Sequence, residues 1–321
     1  MTTPHTASPL SPVGAHVPVS GGIATRGLAY AAAVRAETIQ VFVSNPRSWS
    51  RGPGNPAEDA ALRENSALPL FIHAPYLINL GTPYQETATR SAASLEHALL
   101  RGEEIQAGGV VVHTGSAVRD GRREGLRRMR ERLLAVLERL SPSSPPVLLE
   151  PMAGQGGALC ATVDDVAEYL DMLEWHPKLR VCLDTAHSFA AGHDISTAPG
   201  MRAMLDRFGE TVGADRLELV HANDSKAQCA SNKDLHQNIG AGRIGAAPFA
   251  ELFRHPVSSG VPVIVETPGP ETPHAADVNT LRRLRTLGHT ASRERGSAGW
   301  SAAPSPQAPA TAAEPVGAPA R

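Results

Sequence analysis

Cysteine is scarce in this 321-residue chain, where Cys160, Cys182 and Cys229 are the whole complement. Three thiols so widely spaced exclude a disulfide framework and a CxxC metal site, and they suit a reducing cytoplasm. Any bound metal would have to be held by histidines and carboxylates. Long apolar runs are missing as well: none approaches the ~20 residues needed to cross a bilayer, so no membrane role is expected. The opening "MTTPHTASPLSPVGAH" lacks the basic start and apolar stretch of a secretory signal. Net charge is only −2, from 30 basic and 32 acidic side chains. Nothing in that balance pulls the whole molecule toward nucleic acid or anionic lipid, so a polyanion would need a local patch.

The composition that remains is 41% apolar and 19% charged, ordinary for a globular protein with a sizeable core. Short apolar runs recur, each followed by a longer amphipathic stretch. Strands are expected near residues 14–19, 38–44, 68–74, 109–115, 146–151, 180–185, 217–224 and 261–267. The stretch "REGLRRMRERLLAVLERL" between two of them puts Leu126, Met129, Leu133, Leu137 and Leu140 at helical spacing. Eight strand-then-helix units predict an α/β fold, a parallel (β/α)8 TIM barrel with its active site at the C-terminal ends of the strands. Residues 13–288 form the expected catalytic domain. Residues 1–12 and the Ala/Pro-rich 289–321 read as unstructured ends, too poor in apolar periodicity to offset chain entropy.

The ends of these strands carry an unusual set of residues. His73, His113, Glu150, Asp184, His221 and Glu266 each close an apolar run, His187 follows Asp184 by one helical turn, and Asp234 and His236 sit in "NKDLHQNIGAGRIG". A strand-end Asp often caps the next helix, and a single strand-end His is usually structural. In a barrel, however, these ends open onto one face. Carboxylates drawn together there would repel one another unless cations lay between them. Carboxylates with neutral imidazoles are a ligand set suited to Zn2+ or Mn2+.

These motifs resemble the endonuclease IV family of apurinic/apyrimidinic (AP) endonucleases over roughly residues 13–288. The likeness rests on "GAHV", "NPRSW", "HAPYLINL", "VHTGS", "LEPMAGQG", "CLDTAHSFAAGHD", "VHANDSK", "DLHQNIGAGRIG" and "VIVETP", all in the family's order. The resemblance implies three Zn2+ per chain, with Mn2+ acceptable at one site. His73, His113 and Glu150 would hold the first. Glu150 would bridge to a second held with Asp184, His221 and Glu266, and His187, Asp234 and His236 would hold the third. It implies cleavage of double-stranded DNA on the 5′ side of an abasic site, with Glu150 and Glu266 as catalytic residues. The products would be a 3′-hydroxyl and a 5′-deoxyribose phosphate, and repair of blocked 3′ ends is expected as well. Arg47, Tyr76 and Leu77 match the side chains that press into the minor groove, and the family precedent is a monomer.

Lys226, Lys233 and Arg243 are candidate phosphate contacts on the same loops. Two departures from the family pattern stand out: Leu235 between Asp234 and His236, where Arg is common, and Pro151-Met152, where Asn-Thr or Thr-Thr is frequent. The rival reading is a xylose-isomerase-like sugar isomerase or epimerase with one divalent ion on Glu150, Asp184, His221 and Glu266. It leaves His73, His113, Asp234 and His236 without a use. A non-catalytic DNA-binding role would leave the whole ligand set without one.

Overall fold

The computed structural model describes residues 10–297. Eight parallel strands close into a barrel: β1 (Val13–His16), β2 (Ile39–Val41), β3 (Leu70–His73), β4 (Gly109–His113), β5 (Val147–Glu150), β6 (Leu179–Asp184) and β7 (Leu217–His221), with β10 (Val263–Val265) completing the ring between β7 and β1. All eight expected strands are present, each within a few residues of its predicted place. Two short strands in the connection after β7, β8 (Asp224–Ser225) and β9 (His236–Gln237), form an antiparallel pair where the sequence pattern predicts only loop.

The helices α1 (Leu28–Ala33), α2 (Pro56–Asn65), α3 (Gln85–Glu104), α4 (Arg122–Leu137), α5 (Val163–Met172), α6 (Thr185–Ala191), α7 (Ala198–Thr211), α8 (Phe249–Arg254) and α9 (Glu271–Ser297) lie between and after the strands. The arginine-rich stretch forms α4 as expected, burying Leu126, Met129, Leu133 and Leu137, while Leu140 falls past its end. No helix among the described residues is long and apolar enough to cross a membrane.

The strand sequences explain the layering. Phe71, Val111, Leu148, Cys182, Leu219 and Ile264 form one buried cluster inside the barrel. Their neighbours Ile72, Val110, Val112, Leu149, Val181, Leu183, Val263 and Val265 face outward and join the main core. Strands buried on both faces read as continuous apolar runs, which is what the chain shows. At Gly14 a side chain would overlap the backbone carbonyl of Thr38, so the close approach of β1 to β2 requires glycine there.

The expected domain ends differ slightly from the structure. Ser11 is buried, with its hydroxyl accepting from the Gly260 N–H and its carbonyl from Arg285. At the other end α9 runs on to Ser297. The remainder of the two expected unstructured ends, residues 1–9 and 298–321, lies outside the described residues.

Candidate metal centre

Side chains two apart on a strand share a face. Two residues past Phe71, Val111, Leu148, Cys182, Leu219 and Ile264 stand His73, His113, Glu150, Asp184, His221 and Glu266. The interior apolar layer is therefore a floor, and the next layer up is made of ligand-type groups. Barrel closure brings them together although the chain separates some by more than a hundred residues.

Among the described residues three groups have ligand atoms within 4.8 Å of one another: His73, His113 and Glu150; Glu150, Asp184, His221 and Glu266; and Asp184, His187 and His236. Glu150 belongs to two groups, and so does Asp184. The first two coincide with the partition implied by the family resemblance. In the third, Asp184 takes part, and Asp234 closes the mouth with one oxygen 3.3 Å from His187 Nε2 and the other 3.1 Å from His236 Nε2. Asp184 caps a helix and also faces the third group. Its Oδ1 accepts from the His187 N–H at 2.9 Å and caps α6, while Oδ2 lies 3.5 Å from His236 Nε2.

The donor set fits divalent cations on three counts. Atoms arranged tetrahedrally at ~2.1 Å from zinc stand roughly 3.4 Å from one another. Here His73 Nε2 and His113 Nε2 lie 3.2 and 3.4 Å from Glu150 Oε2, and His221 Nδ1 lies 3.3 Å from Glu266 Oε2.

The second count is tautomeric. His73 donates its Nδ1–H to the Ala74 carbonyl at 2.7 Å, His187 to Pro151 at 3.0 Å and His236 to Glu266 at 3.3 Å. A carbonyl can only accept, so each neutral ring turns a lone pair on Nε2 toward the centre. Because the acceptor for His187 is backbone, the Pro151 departure leaves this support intact. Third, His236 Nε2 is buried 3.1 Å from Asp234 and 3.5 Å from Asp184 without a well-aligned hydrogen bond to either, as expected of donor atoms grouped around a shared cation.

The electrostatics point the same way. Burial opposes charge on Glu150, but His221 and His113 outweigh it and hold its carboxyl well below the usual range. Burial also presses His187 and His236 toward neutrality, yet the surrounding carboxylates, Asp184 foremost, raise them to about 10 and about 9. The acidic shell thus recruits positive charge, as protons when no cation is bound.

A stability prediction follows for the metal-stripped protein. A raised imidazole stabilises the fold fully below its ordinary value near 6.5, and that contribution fades as pH rises through the folded value. The depressed carboxylates stabilise above about 4.5 and lose their contribution in acid. Thermal melts of metal-stripped protein should peak at about pH 5–6.5 and fall toward pH 10. Metal-loaded protein should fall less, because cations replace the protons. A flat profile for the stripped form from pH 6 to 10 would contradict the charged imidazoles.

Around the mouth, Tyr76 is 46% exposed and leans over the ligands, its ring stacked on His113 at 5.7 Å and edge-on to His73 at 5.2 Å. Leu77 is half-buried beside it, and Arg47 is exposed on the neighbouring loop, joined to this one by the Tyr76 N–H donating to the Pro46 carbonyl at 3.1 Å. Lys226, Lys233 and Arg243 are exposed on the β7–β10 connection. Leu235 is also exposed, and its carbonyl accepts from the Lys226 N–H.

Sequence reasoning missed the residues that aim these ligands. Asn223, fully buried, donates to Asp184 Oδ2 at 2.7 Å and accepts from the Glu266 N–H at 2.8 Å. Asp224 accepts from the backbone N–H groups of Ser225, Gly240, Gly242, Ile244 and Gly245, curling the glycine-rich loop around one carboxylate. That loop contact explains the unforeseen β8–β9 pair and the placement of His236. Gln40 and His16 complete the polar layer at the two strands that supply no ligand. A polar Gln40 inside the apolar run "TIQVFVS" was the available signal.

Comparison with known proteins sharpens the picture. A family model described as xylose isomerase-like TIM barrel matches residues 28–285. A probable endonuclease 4 of Streptomyces coelicolor is 51% identical over 284 residues, covering 86% of this chain and 96% of that protein. The solved structure of endonuclease IV from Thermus thermophilus superposes with a TM-score of 0.76 at 31% identity, covering 86% of this chain and 99% of that one. A D-tagatose 3-epimerase-like protein shares the fold at 17% identity and a TM-score of 0.69, with 87% and 99% covered.

Proposed function

Because the chain belongs to the endonuclease IV family, within the xylose isomerase-like TIM barrels, we propose that it is a zinc-dependent AP endonuclease of DNA base-excision repair. It would cut the phosphodiester 5′ to an abasic site and leave a 3′-hydroxyl and a 5′-deoxyribose phosphate. The observation that carries this reading is the set of three contiguous ligand groups at one barrel mouth, joined through Glu150 and Asp184. A single-metal isomerase needs only one of them, so the other two favour the nuclease. Every ligand comes from one chain, which suits a monomer. Three free cysteines suit a cytoplasmic enzyme.

Cations held in the three groups, zinc with Mn2+ acceptable at one, would stabilise charge building on the phosphate and bring the pKa of the attacking water toward neutrality. The protein's own residues do the rest. Glu150 spaces the first two groups. Glu266, with one oxygen toward His221 and the other held by Gln40, orients the attacking water. Asp234 and His236 close the open side of the site.

An abasic nucleotide leaves the duplex cheaply because it has no base to unstack. Arg47, Tyr76 and Leu77 would hold the kinked duplex from the minor groove, with Tyr76 already fixed over His113. The same site would accept a blocked 3′ end, since the bond to be broken is again that between phosphorus and the 3′-oxygen of the preceding nucleotide.

The test is a duplex oligonucleotide with one tetrahydrofuran abasic analogue. Purified protein should nick it on the 5′ side of the lesion and leave the intact duplex uncut. Equal cutting of both duplexes, or of neither, would overturn the assignment.

A further inference from the structure

Two of the eight strands, β1 and β2, bring no ligand to the mouth. They bring His16 and Gln40, and Gln40 is fully buried. Its side-chain oxygen accepts from His221 Nε2–H at 2.9 Å. Its amide nitrogen donates to Glu266 Oε1 at 2.6 Å and to His16 Nδ1 at 3.0 Å. Each of these contacts fixes the others. Glu266 as a carboxylate can only accept, so the nitrogen of the amide must face it. That leaves the oxygen facing His221, which obliges His221 to carry its proton on Nε2 and turn its Nδ1 lone pair inward. His73, His187 and His236 take their tautomer from backbone carbonyls. His221 takes its tautomer from this one side chain.

We infer that Gln40 is a positioning residue for the group formed by Glu150, Asp184, His221 and Glu266: one amide sets the tautomer of His221 and the direction of the Glu266 carboxylate. The inference rests on the metal reading above and deepens it. Outer partners that orient ligands commonly contribute about 10- to 100-fold to metal affinity. The effect should be local, because Gln40 makes no hydrogen bond to His73, His113, His187, Asp234 or His236.

The test uses Q40M, which keeps the volume and removes the amide, and Q40E, which can still accept from His221 but cannot donate to Glu266. Metal-stripped wild type and variants are titrated with zinc against a chromophoric chelator, and separately with Co2+ to record the visible spectrum. In Q40M one of the bound metals should weaken by about 10- to 100-fold while the others hold, and the cobalt bands should change. Q40E should fall between wild type and Q40M. A purely structural role would lower the melting temperature of stripped Q40M without moving the affinity or spectrum of the folded protein, and that result would overturn the inference. Should Q40M fail to fold, Q40E alone decides it: a wild-type affinity and spectrum would sink the proposal. Wild type that binds no metal would instead sink the metal reading itself, so the two failures are distinguishable.

Discussion

E150Q is expected to lower cleavage of the abasic-analogue duplex by on the order of 10^3-fold or more, and to lower bound zinc from three per chain toward one. Glu150 is completely buried, and its two oxygens face different partners. Oε2 lies 3.2 Å from His73 and 3.4 Å from His113, and Oε1 lies 3.0 Å from His221. A carboxylate can serve both sides because either oxygen accepts. An amide has one acceptor, and its nitrogen would point protons at an imidazole lone pair or a cation. The first two groups should therefore fail together, while Asp184, His187, Asp234 and His236 keep a site of their own. Metal content by elemental analysis, read with circular dichroism for the fold, separates this outcome from collapse. Wild-type rates from E150Q would refute the shared role of Glu150.

Removal of metal should have an effect of similar size. After treatment with a strong zinc chelator, cleavage should drop to background and return on adding zinc, with Mg2+ unable to replace it. The fold should survive but melt earlier. A cation present at ~1,000 times its dissociation constant stabilises the native state by about 4 kcal/mol, which for a domain of this size is roughly 10 °C in Tm. Elemental analysis of the untreated protein should find about three metals, mainly zinc. One Mg2+ or Mn2+ per chain, with no cleavage of the abasic-analogue duplex, would favour the single-metal isomerase, and cleavage untouched by chelation would refute the role of metal.

How much of this could be read from the chain depended on the range of the interactions. Strand positions were legible because alternation and apolar runs are local. Most candidate ligands were legible for the same reason: each of the six strand-end groups follows a barrel-floor residue by two. The β8–β9 pair was not, since Asp224 is joined to Gly240, Gly242 and Ile244, 16 to 20 residues on, by backbone N–H groups that carry no residue signature. Asp184 read as either helix cap or ligand, and only the folded chain shows that one oxygen caps α6 while the other faces His236. Gln40 was invisible as a partner because His221 is 181 residues and Glu266 226 residues away.

The amino-acid order alone determined the eight-fold strand–helix alternation and the chemical types at the strand ends, because period-two burial is a property of a few neighbouring residues. Tertiary structure decided which of these groups stand close enough to share a cation and which imidazole nitrogen faces inward. It also decided that Gln40 holds His221 and Glu266 at once. Those outcomes are set by distances of about 3 Å between atoms on different strands, and they exist only once β10 pairs with β1 and the ring is closed.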